Sequence, residues 1–224
     1  MTPDLIQGST YAADIDGLIF MIGVIVGLWF LAAEGVFFWL IWKFREKPNQ
    51  KSEYLTGKEK HIKKWITGPH ALVLVCDVFI VVGAINVWYN VKQRLPEADT
   101  EIRIIGQQWA WTFQHPGADG ELDTADDIFT VDDLNVEVDK VYHFKLESRD
   151  VLHSFSVPIW RIKQDAVPGR SITGWFEPTV TGEFGVQCTE ICGIGHGAMA
   201  ARVHIRDANE HAQWIATASA ATTP

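Results

Sequence analysis

The chain has 224 residues, of which 47% are hydrophobic and 21% are charged, and its formal net charge is −9. These proportions exclude a disordered chain and a collagen-like repeat. Most of the negative charge lies in residues 96–224, which hold nine Lys and Arg against twenty Asp and Glu. A region this acidic repels phosphate backbones, so we expect no nucleic-acid partner.

Two apolar runs near the N-terminus predict a transmembrane hairpin. Residues 17–42 contain a single charge, Glu34, and as a helix would cross a hydrocarbon layer of ~30 Å at ~1.5 Å per residue. Residues 71–89 form a second run, for which a buried helix of a soluble domain is the alternative. The basic residues before this run and the aromatic pair at its end favour a membrane span. We therefore expect helices over about 17–42 and 70–92, within an N-terminal part of residues 1–95.

The charges between the two runs predict the orientation of the hairpin. Under the positive-inside rule, a basic loop stays in the cytoplasm of a bacterium. Both termini and the region after residue 95 are then expected on the periplasmic side of the inner membrane. No positively charged segment precedes the first run, so we do not expect a cleavable signal peptide. The basic residues of this loop are Lys43, Arg45, Lys47, Lys51, Lys58, Lys60, Lys63 and Lys64.

After Pro96 the sequence takes on the pattern of short strands. Eight runs rich in β-branched and aromatic residues, from EIRIIG to MAARVHI, are separated by turn residues. Seven or eight strands predict an all-β sandwich or Greek-key barrel over residues 96–206. Residues 207–224 are expected to form a short helix and a tail. The fold class is therefore an α + β membrane protein, with a two-helix hairpin before an all-β domain.

Four metal-binding side chains lie within twelve residues near the end of the all-β region. Cys188, Cys192, His196 and Met199 stand at offsets 0, 4, 8 and 11, with glycines between them that let the backbone fold tightly. Thiolate, thioether and imidazole together favour copper over magnesium or calcium, because soft donors suit a soft, redox-active metal. His153, 35 residues upstream of the first cysteine, can close the site from a neighbouring strand.

Three simpler interpretations compete with a two-copper site. A disulfide between Cys188 and Cys192 is chemically possible in the periplasm, but it explains neither the histidine nor the methionine. A structural zinc site has no use for a methionine, and a mononuclear blue-copper site needs only one cysteine. Two bridging thiolates, with one histidine for each of two coppers, use every residue of the pattern. We therefore favour the binuclear arrangement.

These residues resemble a known family. The pattern C-x-E-x-C-x3-H-x2-M, with V-L-H-S upstream, looks like the binuclear CuA site of cytochrome c oxidase subunit II. The resemblance continues through residues 163–170 (KQDAVPGR) and 106–111 (GQQWAW), and it includes the hairpin with Trp65 and Pro69. It covers nearly the whole chain, and its copper motif is highly specific.

The resemblance implies a cupredoxin fold for the soluble domain and a role for each residue of the motif. The side chain of Glu190 would point towards a magnesium or manganese ion shared with subunit I, which would carry the heme. The implied copper ligands are Cys188 and Cys192 as bridging thiolates, His153 and His196 as terminal ligands, and Met199 and the backbone carbonyl of Glu190 as weak axial ligands.

The resemblance also implies where electrons arrive. Trp109 matches the aromatic residue through which the family takes electrons from cytochrome c, whereas Trp111 is expected in the core. The acidic surface would steer a basic donor, and this attraction should weaken as salt screens it. Gln108 and Asp150 are candidate docking residues. The sequence contains no Cys-x-x-Cys-His heme attachment, so we expect a separate donor, free or held in a supercomplex.

The chain departs from the family pattern at two positions that bear on function. Ala110 stands where relatives often have Tyr, so the donor surface is expected to differ. Ile62 stands where many have a Glu at the mouth of a proton channel, which leaves Glu59 and His61 as candidates for proton uptake. The acidic stretch 119–127 suits calcium less well than a solvated hairpin loop, because its spacing is not that of an EF-hand.

The sequence thus predicts the electron-accepting subunit of a respiratory cytochrome c oxidase. Its CuA site would pass electrons to heme in subunit I, where oxygen is reduced to water as protons are translocated. Relatives that serve quinol oxidases lack the cysteines, which are present here. A CuA-bearing subunit of a nitric oxide reductase and a copper-delivery protein are the alternatives. In the second case a Pro would normally follow the Cys-x3-Cys, where Gly193 stands.

Overall fold

The computed structural model describes residues 6–48, 51 and 54–222. These residues divide into two compact units along the chain. One unit is the segment from Asp14 to Tyr89, and the other joins the described residues up to Ala13 with those from Asn90 onward. The second unit is therefore built from two pieces of chain that lie on either side of the first in sequence.

The first unit is a pair of long helices, α1 (Ala12–Lys43) and α2 (Lys60–Trp88), and a π-helical turn follows α2. Both helices are long and apolar enough, by length and composition, to cross a membrane. They run antiparallel, since the indole N–H of Trp29 lies 3.4 Å from the thiol of Cys76 and Gly83 faces Met21.

The second helix begins at Lys60, ten residues before its expected start at about residue 70. The first turns of this helix are polar, and Glu59, the residue just before them, starts their hydrogen bonding. The carbonyl of Glu59 accepts the N–H groups of Ile62 and Lys63, which starts the hydrogen-bond ladder. The apolar run therefore predicts only the part of the helix that suits lipid. The hydrogen-bonded helix extends beyond that part.

The second unit is a sandwich of two five-stranded sheets. One sheet has the order β3-β2-β1-β5-β8 and the other has the order β4-β10-β9-β6-β7. Neighbouring strands are antiparallel except for the pairs β1 with β5 and β4 with β10, which are parallel. The strands are β1 (Thr100–Gln107), β2 (Ala110–His115), β3 (Ile128–Val131), β4 (Asp133–Glu137), β5 (Tyr142–Ser148), β6 (His153–Val157), β7 (Ile162–Ala166), β8 (Ile172–Phe176), β9 (Gly182–Cys188) and β10 (Ala200–Arg206).

The β-sandwich expected from the sequence is confirmed, but it has ten strands rather than seven or eight. The two additional strands are β2 and β7. The first follows β1 after a two-residue turn, Gln108 and Trp109, which contains none of the Gly, Pro, Asn or Asp residues that usually signal a turn. The second, IKQDA, is mostly polar and pairs with β6 along its whole length. Its pairing comes from backbone hydrogen bonds, which a pattern of apolar residues does not reveal.

Aromatic rings from both sheets fill the core. Phe155 of β6 lies at the centre, with its ring 5.5 Å from that of Trp111 and 6.3 Å from that of Phe113. Trp160 stacks on Phe176 at 4.2 Å. Edge-to-face and stacked rings of this kind add specific geometry to ordinary apolar burial. Trp111 is fully buried, as expected.

A C-terminal helix, α3 (Ala208–Thr222), packs at one end of the sandwich, where it contacts β3, β4 and β10. Trp214 of this helix meets His115 edge-to-face at 5.0 Å, and His115 is buried at the end of β2. The helix is longer than the short one that the sequence suggests, and it reaches the last residues that the structure describes.

The N-terminal residues 6–11, which we call the strap, also belong to the sandwich unit. Ser9 and Tyr11 of the strap are buried. The hydroxyl of Tyr11 donates to the carbonyl of Trp175 at 3.1 Å, and the two rings meet edge-to-face. The indole N–H of Trp175 donates to the carbonyl of Val91 at 2.9 Å. One residue of β8 therefore holds both chain segments that connect with the helical hairpin.

Candidate metal centre

The candidate metal ligands come from the ends of two neighbouring strands. Cys188 ends β9 and His153 begins β6. The loop after β9 turns back through a short 3-10 turn that starts at His196, and Met199 follows just before β10. A hydrogen bond from the N–H of Cys188 to the carbonyl of Met199 closes this loop at its base. We call residues 188–199 the copper loop.

The donor atoms of the loop and of His153 converge. The two thiol sulfurs of Cys188 and Cys192 are 3.7 Å apart. The Nδ1 atom of His153 lies 4.0 Å from the sulfur of Cys188, and Nδ1 of His196 lies 3.6 Å from that of Cys192. The thioether of Met199 is 3.8 Å from the sulfur of Cys192. Each thiol thus has an imidazole nitrogen beside it.

The cysteine pair is present as two thiols. A disulfide requires sulfurs ~2.05 Å apart, well short of the distance found here, and all three cysteines of the chain are free. Burial, followed by the neighbouring Cys188, raises the pKa of the Cys192 thiol to about 11. The Cys192 thiol is therefore disfavoured as a thiolate without a compensating positive charge, which a bound cation provides.

The surroundings of His153 fix which of its ring nitrogens faces the thiols. The side chain is fully buried at 0% exposure, and its Nε2–H donates to a carboxylate oxygen of Asp150 at 2.8 Å. Nδ1 is therefore the ring nitrogen that faces Cys188. A carboxylate behind the distal nitrogen of a histidine is the usual arrangement for a metal ligand.

Asp150 also holds the turn between β1 and β2. Its carboxylate accepts the backbone N–H of Gln108 at 2.7 Å and that of Val151 at 2.6 Å. Burial raises the pKa of Asp150, but the hydrogen bonds from His153, Gln108 and Val151 outweigh it and leave the pKa below its ordinary value. The carboxylate thus stays charged beside the metal site.

The remaining predicted ligands lie where they can complete the site. Met199 is buried at 2% exposure, and the backbone carbonyl of Glu190 lies 3.3 Å from the sulfur of Cys188. The side chain of Glu190 is half-buried. Among the described residues, one group of three or more His, Cys, Asp or Glu side chains has its ligand atoms within 4.8 Å of one another. Its members are His153, Cys188 and Cys192.

Trp109 and Gln108 lie directly against the copper loop. Trp109 stands in the turn between β1 and β2 and is 39% exposed. The side-chain amide of Gln108 donates to the carbonyl of Cys192 at 2.8 Å. The structure therefore gives Gln108 and Asp150, which the sequence suggests as docking residues, hydrogen bonds that hold the metal site together. Ile191 and Ile194, both exposed, add apolar surface nearby on the loop.

The candidates for proton uptake lie at the start of α2, in the helical unit. The carboxylate of Glu59 accepts hydrogen bonds from the backbone and the hydroxyl of Thr56, at 3.2 and 2.8 Å. Hydrogen bonds from its own backbone N–H and from Thr56 lower the pKa of Glu59 to about 2. His61 is exposed in the first turn of α2.

The acidic stretch 119–127 forms a loop held together by its own hydrogen bonds. Asp123 pairs with Arg103 at 2.7 Å, and this partner lowers the pKa of Asp123 to about 2. Asp126 accepts the hydroxyl of Thr124 at 2.7 Å. Protein donors thus engage two of these carboxylates.

The sequence did not reveal that Asp150 is hydrogen-bonded to His153. An acid three residues before a candidate metal ligand, on a tight turn, is the signal that points to such a pair.

Three features of the structure together indicate the class of protein to compare with this chain. The soluble unit is a cupredoxin-like β-sandwich, it carries a cluster of sulfur and imidazole donors at one end, and two apolar helices interrupt its sequence.

Known proteins of this kind match the chain in sequence and in fold. The family described as cytochrome c oxidase subunit II, periplasmic domain, matches residues 100–205. The alternative cytochrome c oxidase subunit 2 of Bradyrhizobium diazoefficiens is 30% identical over 216 residues, covering 85% of this chain and 75% of that protein. Cytochrome c oxidase subunit 2 of Cereibacter sphaeroides is 28% identical over 212 residues, covering 81% of this chain and 68% of that protein. The crystal structure of the periplasmic domain of subunit II of cytochrome oxidase from Bradyrhizobium japonicum is 28% identical, with a TM-score of 0.52 over 58% of this chain and 100% of that one.

The chain belongs to the cytochrome c oxidase subunit II family. It is therefore a subunit of an oxidoreductase and a membrane protein, and copper is the metal that the family implies. The two apolar helices and the β-sandwich expected from the sequence are confirmed.

Proposed function

We propose that this chain is the electron-accepting subunit of a cytochrome c oxidase, with a binuclear CuA centre. The ligands would be the two bridging thiolates of Cys188 and Cys192 and the Nδ1 atoms of His153 and His196. Met199 and the carbonyl of Glu190 would complete the site as weak axial ligands.

The observation that carries this proposal is the pairing of each thiol with its own imidazole. The sulfur-to-Nδ1 distances are 4.0 Å for Cys188 with His153 and 3.6 Å for Cys192 with His196, while the sulfurs are 3.7 Å apart. A single copper ion uses one thiolate and two histidines, which leaves one thiol without a role. Two similar sets of donors, joined through the sulfurs, support two metal positions.

The chemistry of the donors fits copper. Thiolate, thioether and imidazole are ligands that a soft metal prefers, and the buried sulfur atoms favour a bound cation. Copper bound here would accept one electron at a time and release it again. The protein would hold the ligands in place on two strand ends, and Asp150 would keep the imidazole of His153 in the required tautomer.

We infer that electrons arrive at Trp109 from cytochrome c. This indole is part-exposed and lies on the copper loop. The exposed Ile191 and Ile194 give the same end of the sandwich an apolar surface, of the kind that contacts a protein partner. The net charge of −9 would attract a basic donor, and this attraction should weaken with salt.

We further infer that the sandwich faces the periplasm of a bacterium. The described residues up to Ala13 and those from Asn90 onward form one unit, so both ends of a membrane hairpin must emerge on one side. The loop between the helices is basic and should stay in the cytoplasm. Residues 1–95 would then comprise the N-terminal segment and the membrane hairpin, residues 96–206 the copper domain, and residues 207–224 the C-terminal helix and tail.

The partner that receives the electrons would be subunit I, with its heme and the site of oxygen reduction. The half-buried side chain of Glu190, two residues after Cys188, is the candidate ligand for a magnesium or manganese ion between the subunits. Proton translocation would be a property of the assembled oxidase with its other subunits.

Copper content and electron paramagnetic resonance of the full-length protein test the proposal. We expect two coppers per chain and one unpaired electron shared between them, which gives a seven-line hyperfine pattern. The Cys192→Ser variant should lose this pattern. Cys76→Ser is the matched control, because Cys76 lies in the hairpin against Trp29 and should leave copper binding unchanged.

A single copper with four-line hyperfine structure would overturn the binuclear assignment. If two coppers bind, the oxygen consumption and the nitric oxide consumption of the purified complex distinguish an oxidase from a nitric oxide reductase.

A further inference from the structure

The indole of Trp109 lies on the bare backbone of the copper loop, and two glycines make this contact possible. A Cβ atom added at Gly195 would lie 2.4 Å from Cδ2 and 2.6 Å from Cγ of Trp109. A Cβ added at Gly193 would lie 3.3 Å from Cζ2 and 3.4 Å from Nε1. The indole ring therefore covers both glycines. Gly195 lies beneath the Cγ–Cδ2 bond, and Gly193 lies beneath the part of the ring that contains Nε1 and Cζ2.

The reason for a glycine differs between the two positions. Gly193 has a φ of +124°, a backbone conformation that side chains rarely adopt, so the turn itself calls for glycine there. Gly195 has a φ of −89°, which any residue can adopt. The close approach of the indole is therefore the reason that the structure gives for a glycine at position 195.

The turn that carries Trp109 is anchored independently of its indole. Gln108 donates its side-chain amide to the carbonyl of Cys192, and its backbone N–H to Asp150. A side chain at position 195 would therefore displace the ring while these two hydrogen bonds hold the turn. Because ordinary carbon contacts are ~3.5–4.0 Å, the displacement would be about 1 Å.

We propose that Gly195 is a positioning residue for electron transfer, which holds the indole of Trp109 in van der Waals contact with the copper loop. The inference rests on the proposed function, in which one electron leaves the ferrous heme of the donor and arrives at the copper site. The indole shortens the gap between them and is not itself changed. The probability of electron tunnelling falls steeply with distance, so a ring moved outward slows the transfer.

The first test needs no copper. In full-length protein labelled with 5-fluorotryptophan, the 19F resonance of Trp109 is identified among ten tryptophans by its loss in Trp109→Phe. Gly195→Ala should shift this resonance and broaden it. Gly197→Ala is the matched control, because a Cβ built at Gly197 meets no described atom within 4 Å. An unmoved resonance in Gly195→Ala would overturn the proposal.

The second test measures electron transfer in the copper-loaded protein. Gly195→Ala should lower the second-order rate of reduction by ferrous cytochrome c several-fold, because the displaced indole lengthens the gap that the electron crosses by ~1 Å. Its paramagnetic spectrum and its reduction by hexaammineruthenium(II), which does not need the indole, should stay as in the unmodified protein. An equal loss of this rate in Gly197→Ala would overturn the proposal, since an alanine elsewhere in the copper loop would then slow the reaction as much.

A double variant separates the clash from other effects of the alanine. In a Trp109→Ala background, Gly195→Ala should have no further effect on the rate, because no ring remains to be displaced. If Gly195→Ala alone fails to bind copper, the double variant should bind it again, and failure to do so would overturn the proposal. Failure of the unmodified protein to bind two coppers would instead contradict the proposed function and leave the 19F result standing.

Discussion

The sandwich contains two buried histidines with opposite surroundings. His153 is 0% exposed, with a carboxylate behind one ring nitrogen and a thiol beside the other. His115 is 2% exposed, and its Nε2 has no hydrogen-bond partner among the described residues. Its ring instead packs against Trp214 of α3. Burial alone therefore does not make a histidine a ligand, because the atoms around its two nitrogens decide what it can bind.

Replacing each histidine by alanine gives the largest expected contrast. His153→Ala should abolish the two-copper paramagnetic signal while the protein stays folded, because one ligand nitrogen is lost. His115→Ala should leave two coppers bound to the folded protein but lower the free energy of unfolding by on the order of 3 kcal/mol, through the cavity it leaves. Copper content and urea unfolding measure both effects. A two-copper signal that survives in His153→Ala would show that His153, like His115, is not a copper ligand.

The pH dependence of folding stability should come from His115 at the far end. Burial, and then the charge of His211, lower the pKa of His115 to about 3. The unfolded chain binds a proton at its ordinary pKa of about 6.5, so folding stability falls as the pH drops from 6.5 towards 3. The slope of ~1.4 kcal/mol per pH unit predicts a loss of about 2 kcal/mol at pH 5.

Urea unfolding of the copper-free protein at pH 7 and pH 5 measures this loss. His115→Phe cannot take up the proton and should lose about 2 kcal/mol less over the same interval. Equal losses in the two proteins would show that other groups cause the pH dependence, such as His211, which lies 3.7 Å from the carboxylate of Glu137.

A smaller effect is expected from the carboxylate behind His153. Asp150→Asn should weaken copper binding about tenfold, because the hydrogen-bond partner of a metal ligand orients its ring and tunes its basicity. The hyperfine splitting of the copper signal should change as well. Asp139→Asn is the control, since Asp139 is exposed and Asn tolerates its positive φ. If both variants lower only the rate of reduction by cytochrome c, Asp150 acts through surface charge, as a docking residue would.

The smallest effect is expected at Glu59, in the helical unit. Its pKa of about 2 means that the carboxyl group stays ionised near neutral pH and carries few protons. Glu59→Gln should therefore change the proton uptake of the assembled oxidase by less than His61→Gln. Proton uptake during turnover, recorded with a pH indicator, compares the two variants. A larger loss in Glu59→Gln would identify the glutamate as the proton carrier.

The candidate metal ligands could be proposed from the sequence because most of them are local. Cys188, Cys192, His196 and Met199 fall within twelve residues, and their chemical types restrict the metal. The length and continuity of the apolar run at 17–42 likewise predicted a membrane helix.

The features that sequence reasoning missed depend on residues that are distant in the chain. The amide of Gln108 meets the carbonyl of Cys192 across 84 positions, and no pattern of residue types reports such a contact. His115 has no motif around it, and only the folded structure shows that α3 covers it. Gly195 reads as a flexible loop residue until the position of Trp109 is known.

The strap has a consequence for the biogenesis of the protein. Tyr11 and Trp175, which join it to the sandwich, are 164 positions apart, so this contact cannot form until β8 has been synthesised. The N-terminus must also reach the compartment of the sandwich before the two can pair. Translocation of the first helix is thus a precondition for completing the last part of the fold. A chain whose N-terminus stayed on the opposite side of the membrane from the sandwich would leave the buried faces of Ser9 and Tyr11 uncovered.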